Sequence, residues 1–214
     1  MPDLNFTLEG IEAARFTVAP LFLFKLGISN SPAAERIQTV ALRCQIQIDA
    51  TRRRYNAHEQ EKLLDLFGVP ARWSQTLKST LWTFASVIVP PFSGSTRVDL
   101  PVPCTFDFNV ASAKYFDALE GGEVPLTVMF SGTVFFEAED GALQAAQISW
   151  AKEAKFQLPV KLWREMMDEF YPNSAWLTLR KDVFDRLYRY KMQRALPSWE
   201  QAVESLLPVE ERTA

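Results

Sequence analysis

Few side chains in this sequence are of the types that carry out catalysis. Its 214 residues include a single histidine, His58, and two cysteines, Cys44 and Cys104. His58 lies in the polar run NAHEQEK with no nucleophile beside it, so a Ser–His–Asp triad is not expected. We expect His58 on the surface or in the first turn of a helix, and we predict no catalytic residues.

Metal and cofactor motifs are also missing from the sequence. Zinc and iron–sulfur sites need several thiolate or imidazole ligands at short spacing, and the chain has no CxxC, HxxxH or HExxH motif. It likewise has no GxGxxG and no GxxxxGK(S/T) loop to hold a phosphate. We therefore predict no metal site and no cofactor. A carboxylate-based hydrolase using acids such as Asp107 and Glu153 is kept as an alternative, because two carboxylates can do acid–base chemistry without histidine.

Basic residues beside aromatic ones are the best candidates for a binding role. Arginine clusters bind phosphates and acidic partners, and aromatic side chains are frequent at protein interfaces. Three such groups occur, and their members are predicted to bind a partner: Arg52, Arg53, Arg54 and Tyr55; Arg72 and Trp73; and Arg189 and Lys191.

Each of these groups also has a purely structural interpretation. The arginine run could be a solvated strand end that protects a sheet edge. Trp73 could close an open end of the fold, with Arg72 stacked over it. Arg189 and Lys191 lie near the end of a predicted helix, 182–194, where the helix dipole favours basic residues. The net charge of −3 argues against a general nucleic-acid binder.

Much of the sequence has the pattern of β-strands. Apolar and polar side chains alternate along Val40–Ile48 and Thr96–Val110, which is the pattern of a half-buried β-strand. Both cysteines lie on the apolar face of these strands, so we expect two buried thiols and leave a disulfide as the alternative. Seven strands are predicted: Phe6–Val18, Leu21–Ser29, Ile37–Ala50, Leu81–Val89, Thr96–Val110, Val124–Glu137 and Leu143–Phe156.

The fold class predicted is mainly β (α+β), an antiparallel β-sandwich-like domain with C-terminal helices packed on it. This domain would comprise residues 1–158, with two short inserted helices at 59–67 and 111–119. Apolar residues recur at helical spacing after Val160, so residues 159–207 are predicted to form a helical subdomain and 208–214 a flexible tail. Within the second part, Ser198 and Gln201 have the spacing of a capping box. Asp140-Gly141 predicts a hairpin, and Gly132 a bulge or a close approach of two backbones.

The N-terminal residues MPDLNFTLEGIEAARF have no basic start and no long apolar run, so no secretory signal is expected. The longest apolar stretch, Val18–Leu26, is much shorter than a membrane span. We therefore expect a cytoplasmic protein.

Five segments together resemble a mainly bacterial family that is known only as a domain of unknown function. They are Leu66–Trp73, Pro103–Asp107, Val124–Leu126, Phe130–Thr133 and Trp150–Glu153. The resemblance covers Phe16 to Leu207, and it implies an association with gene clusters for high-affinity nickel–iron hydrogenases. It implies no catalytic residues.

These observations lead us to expect a non-enzymatic accessory or protein-binding module, and the resemblance implies that it assists hydrogenase assembly or function. Its partner would be a hydrogenase subunit or a maturation factor. The alternative is a carrier domain for a small or lipid-like ligand, because aromatic residues make up 13% of the chain and could line a pocket. A large internal cavity would distinguish the carrier from the accessory protein.

Overall fold

The computed structural model describes residues 1–105, 110–138, 140–174 and 179–207. The chain divides into two compact units, Met1–Asn173 and Ser174–Ala214. The first unit contains all the described strands, and the predicted class, mainly antiparallel β with C-terminal helices, is confirmed. Phe106, Asp107, Phe108, Trp176 and the predicted tail lie outside the described residues.

The described strands form two antiparallel sheets. The strands are β1 (Asp3–Ala13), β2 (Leu21–Ser31), β3 (Arg36–Ile48), β4 (Thr80–Val89), β5 (Phe92–Ser93), β6 (Ser95–Pro103), β7 (Glu123–Glu137), β8 (Leu143–Gln147) and β9 (Glu153–Pro159). One sheet has the order β1-β2-β6. In the other, β3 lies between β4 and β7, β5 pairs with the start of β3, and both β8 and β9 pair with β7.

The core lies between these two sheets, because each strand turns its apolar side chains to the same interior. Phe22, Phe24 and Leu26 are fully buried on β2, as is every second residue of β3 from Val40 to Ile48. Phe6 of the first sheet stacks on Phe130 of the second, with ring centres 4.2 Å apart. Each large apolar side chain buried in this way contributes roughly 1.5–3 kcal/mol.

The predicted strand Leu143–Phe156 is wrong as a single element, because the structure divides it into β8 and β9. Both pair with β7, β8 with its second half and β9 with its first. They are separated by a turn that contains Trp150. The strand predicted to reach Val110 ends at Pro103, and Val110 is the first residue of a helix. The hairpin at Asp140-Gly141 is confirmed, since Glu137 pairs with Leu143 across it.

Among the residues that the structure describes, five α-helices belong to the first unit and two to the second. They are α1 (Ala57–Lys62), α2 (Leu64–Phe67), α3 (Trp73–Thr76), α4 (Val110–Ala118) and α5 (Val160–Phe170), then α6 (Lys181–Gln193) and α7 (Trp199–Glu204). Trp163 of α5 stacks on Phe116 of α4 at 4.2 Å, so α5 is part of the packed core of the first unit. The side chain of Ser198 caps α7 by accepting a hydrogen bond from the Gln201 amide. Within the described ranges, no helix has the length and apolar character needed to cross a membrane.

Both cysteines are buried free thiols, as expected from the strand pattern. Burial raises the pKa of Cys44 to about 12 and also raises the pKa of Cys104. Because the thiolate is the reactive form, we expect neither residue to react with Ellman's reagent in the native protein at pH 8. Both should react once the chain is unfolded in guanidinium chloride. Rapid labelling of either native thiol would contradict this prediction.

Candidate functional site

The predicted arginine and tryptophan groups at 52–55 and 72–73 lie in one excursion from the second sheet. Ile48 at the end of β3 pairs with Thr80 at the start of β4, so the chain between them leaves the sheet and returns to the same place. This excursion, residues 49–79, carries α1, α2 and α3. Salt bridges and hydrogen bonds connect it to α4 and to the segment 119–123, which precedes β7. We call residues 49–79 and 110–123 together the helical end.

Arg53 is an internal residue of the helical end. Its side chain is only 9% exposed, and its guanidinium lies 2.6 Å from the carboxylate of Glu59, which is 4% exposed. The same guanidinium donates hydrogen bonds to the backbone carbonyls of Gly121 and Glu123, each at 2.7 Å. A buried charge requires such partners, because its loss of hydration is otherwise uncompensated. Arg53 therefore connects the excursion to the start of β7 and presents little surface to a partner.

The Glu59 carboxylate has further hydrogen-bond partners besides Arg53. It accepts hydrogen bonds from the backbone amides of Glu120 at 2.9 Å and Asn56 at 3.1 Å. The Asn56 side chain in turn accepts from the Glu59 amide at 2.9 Å, which completes a capping box at the start of α1. This function of Glu59 was not predicted from the sequence. An asparagine three residues before a glutamate was the available signal.

His58 lies in the first turn of α1 and is exposed, as predicted. Its Nδ1 pairs with a carboxylate oxygen of Glu120, whose other oxygen accepts a hydrogen bond from the Asn56 amide group at 2.7 Å. The pKa of Glu120 is lowered, first by the hydrogen bond with His58 and then by the one from Asn56. These contacts hold 119–123 against α1, and among the described residues no group of three potential metal ligands is found.

An aromatic cluster joins the two predicted groups. The Tyr55 ring lies edge-on to the Trp73 ring at 5.3 Å, and the Tyr55 hydroxyl is 2.8 Å from that of Tyr115 on α4. Burial raises the pKa of Tyr55 to about 12. Trp73 also donates a hydrogen bond from its indole nitrogen to the Gly68 carbonyl at 2.8 Å. Tyr55 and Trp73 are thus half-buried and make their contacts within the helical end. This agrees with the interpretation of Trp73 as a structural residue.

The remaining arginines are on the surface. Arg52, Arg54 and Arg72 are exposed, and among the described residues Arg52 alone of the three has a carboxylate within 4.0 Å, that of Asp49 at 3.9 Å. Lys62 and Lys78 are exposed on the same excursion. We call these five side chains the basic patch: Arg52, Arg54, Lys62, Arg72 and Lys78. Across the part of the chain that the structure describes, the last four have no acidic group within 4.0 Å.

The charge of the excursion is opposite to that of the whole chain. Residues 49–79 contain six basic and four acidic residues, while the whole chain has a net charge of −3. One of the six, Arg53, is neutralised internally by Glu59. The positive charge of the excursion is therefore carried by side chains that face water.

Arg189 and Lys191 lie in the second unit. Arg189 is exposed on α6, and the Lys191 ammonium is 5.6 Å from the ring centre of Trp199 on α7. Phe184 and Tyr188 of α6 also contact that indole ring, at 5.3 and 6.1 Å. Lys191 thus helps to pack α6 on α7, whereas Arg189 is turned to solvent.

An apolar pocket of about 220 Å³ opens in the helical end. Its walls come from α2 and α4, and its base from the paired ends of β3 and β4. The lining residues are Ile48, Leu66, Phe67, Thr80, Ala111, Ser112 and Tyr115. Two larger spaces, of about 420 and 440 Å³, are open grooves on the β1-β2-β6 sheet, lined by polar and charged side chains such as Glu9 and Arg97. Of the two acids considered for hydrolysis, Glu153 is exposed at the start of β9, and Asp107 is outside the described residues.

Comparison with known proteins gives distant structural similarities. A protein described as ApaA from Bordetella pertussis is 13% identical, with a TM-score of 0.26, over 73% of this chain and 93% of that one. A protein described as late embryogenesis abundant is 14% identical, with a TM-score of 0.33, over 74% of this chain and 72% of that one. β-Glucosidase 3B from Thermotoga neapolitana is 11% identical, with a TM-score of 0.25, over 73% of this chain and 17% of that one.

A search of curated proteins gives no match. The model of one family, described as a family of unknown function (DUF6084), matches residues 1–214. The match spans the whole sequence, including the excursion and both compact units. The chain therefore belongs to the DUF6084 family.

Proposed function

We propose that this protein is a non-enzymatic accessory protein that binds a protein partner through the basic patch. The observation that supports this most directly is that four exposed cations of the patch, Arg54, Lys62, Arg72 and Lys78, have no acidic group within 4.0 Å among the described residues, on a chain whose net charge is −3. Exposed, unpaired charges of one sign steer and orient a partner of the opposite sign. The partner surface would accordingly be acidic. Its candidate identity, a hydrogenase subunit or a maturation factor, comes from the family resemblance alone.

The residues next to Arg54 and Arg72 in sequence are held by packing and hydrogen bonds. This favours a binding surface over a mobile, solvated loop. Arg54 lies between Arg53, which is fixed by its ion pair with Glu59, and Tyr55, which is fixed by Tyr115 and Trp73. Arg72 immediately precedes Trp73, whose indole is hydrogen-bonded within the excursion. Cations held on rigid backbone lose less conformational entropy when they bind than cations on a mobile segment.

Charge reversal of the patch tests the proposal. A tagged protein with Arg54→Glu and Arg72→Glu would be compared with the wild type by affinity purification from the native host at 150 mM salt, with quantitative mass spectrometry. We expect any specific partner to be recovered at least tenfold less with the variant, and to have an acidic surface. The matched control is Lys155→Glu with Lys161→Glu, which changes the net charge equally at exposed positions on β9 and α5.

Two results would contradict the proposal. One is equal recovery of all proteins with the wild type and the patch variant, and the other is equal loss with the patch and control variants. Arg189 and Lys191, the second predicted group, form a separate arm of the same experiment. If a partner is lost only with the Arg189→Glu and Lys191→Glu variant, the binding surface is on α6 and not on the excursion.

A further inference from the structure

None of the basic-patch side chains lines the apolar pocket of the helical end, so the patch does not explain the pocket. Leu66 and Phe67 of α2 form one wall, and Ala111 and Tyr115 of α4 form the other. The Phe67 and Tyr115 rings meet edge-on at 6.2 Å, and a salt bridge of 3.3 Å between Asp65 and Lys114 joins the same two helices. These two contacts between α2 and α4 hold the two walls of the pocket together.

Its size limits what it can hold. The volume of about 220 Å³ is smaller than the roughly 300–1,000 Å³ of sites for drug-sized ligands. It exceeds the about 150 Å³ of an apolar cavity that takes up a benzene molecule. One phenylalanine or leucine side chain has the appropriate size and polarity, whereas a lipid chain is too long.

The charged residues that lie close in sequence to the pocket-lining residues indicate what kind of segment carries such a side chain. Lys62 ends α1 four residues before Leu66, Lys78 is two residues before Thr80, and Arg72 follows Phe67 by five residues. All three are exposed and have no acidic group within 4.0 Å in the described residues. A segment that fills the pocket would therefore be most stable if carboxylates flank its apolar side chain.

From this juxtaposition we infer that the pocket is the anchor site for a phenylalanine or leucine side chain in an acidic segment of the partner. The inference rests on the proposed function and adds the chemistry of the recognised segment. Burial of one apolar side chain at the centre, surrounded by charge contacts, is the usual arrangement of a small protein interface.

Synthetic peptides test this inference without knowledge of the partner. Three fluorescein-labelled nonapeptides would carry four glutamates on each side of a central phenylalanine, leucine or alanine. Their affinities would be measured by fluorescence anisotropy with the full chain at 150 mM salt. We expect the phenylalanine and leucine peptides to bind at least about tenfold more tightly than the alanine peptide.

Filling the pocket should remove this preference. Ala111 is an exposed residue of the pocket wall, so Ala111→Leu occupies part of the space with little risk to folding. With this variant we expect all three peptides to bind as weakly as the alanine peptide binds to the wild type. The matched control, Ala145→Leu, places the same side chain at an exposed position on β8 and should leave the preference intact.

The outcomes separate this inference from the proposed function. If the three peptides bind equally and Arg54→Glu with Arg72→Glu weakens them all, the anchor site is wrong and the basic patch remains. Binding of p-cresol that Ala111→Leu abolishes, with no preference among the peptides, would overturn the inference in favour of a small-molecule carrier. Failure of all three peptides to bind would also overturn it, while partner recovery continues to test the patch.

Discussion

Replacing Gly132 with alanine is expected to reduce the free energy of unfolding by more than about 4 kcal/mol, which would leave little folded protein. Gly132 has a φ of +137°, a conformation available essentially to glycine alone. An added Cβ would lie 2.0 Å from the carbonyl oxygen of Ala41 on the neighbouring strand β3. That atom belongs to the backbone, so relief of the clash would require two central strands to separate.

The position of Gly132 explains why the strand cannot adjust locally. Before it, the Phe130 amide bonds to the carbonyl of Lys152, next to β9. After it, the Ile148 amide, next to β8, bonds to the Gly132 carbonyl itself. Here β7 changes partner on one edge while it stays paired with β3 on the other. The prediction of a close backbone approach at this glycine is confirmed.

Urea unfolding followed by circular dichroism would measure the effect, with two glycine controls. Gly141 has a φ of +81° but nothing within 4 Å of an added Cβ, so Gly141→Ala should cost only about 1–2 kcal/mol. Gly121 has neither a positive φ nor a close neighbour, and Gly121→Ala should be nearly neutral. A Gly132→Ala protein no less stable than Gly141→Ala would refute the steric explanation.

Breaking the ion pair of Arg53 and Glu59 is expected to have the second largest effect. Arg53→Met leaves the Glu59 carboxylate, 4% exposed, without its counter-charge. Glu59→Gln leaves the guanidinium, 9% exposed, with only the carbonyl acceptors of Gly121 and Glu123. Removal of one member of a buried pair typically costs about 3–5 kcal/mol, because the remaining charge is uncompensated.

A double-mutant cycle distinguishes this from general damage. The double variant Arg53→Met with Glu59→Gln should lose less stability than the sum of the two single variants, since no lone charge remains. The control is the exposed pair of Lys161 and Glu165, side chains that are 84% and 61% accessible to solvent, where loss of one partner should cost under about 0.5 kcal/mol. Additive losses at Arg53 and Glu59 would mean that the two charges do not depend on each other.

Much of the fold was predictable from local sequence. Strand alternation depends only on which face of a strand is apolar, and it correctly predicted buried thiols at Cys44 and Cys104. The period of 3.6 correctly predicted a helix near 160–170. The strand break between β8 and β9 was missed, because apolar residues continue on both sides of it and only the pairing with β7 shows where each strand ends.

The candidate site was predicted less completely, for a physical reason. Arg52, Arg53 and Arg54 are consecutive and chemically alike, so no local pattern distinguishes the internal one from its exposed neighbours. The partners that select Arg53 include carbonyls 68 and 70 residues further along the chain. The pocket could not be predicted from local sequence either, because it forms only where α2 and α4, which are far apart along the chain, come together.

The sequence by itself determined the class of fold, the buried face of each strand, and the scarcity of histidine and cysteine for chemistry. The tertiary structure alone decided which arginine became part of the interior, which cations of the excursion lack an acidic group within 4.0 Å among the described residues, and where an apolar pocket opened. The first group of properties depends on residues a few positions apart, through the periodicity of helices and strands. The second depends on contacts between distant segments, whose geometry exists only after the two sheets have packed.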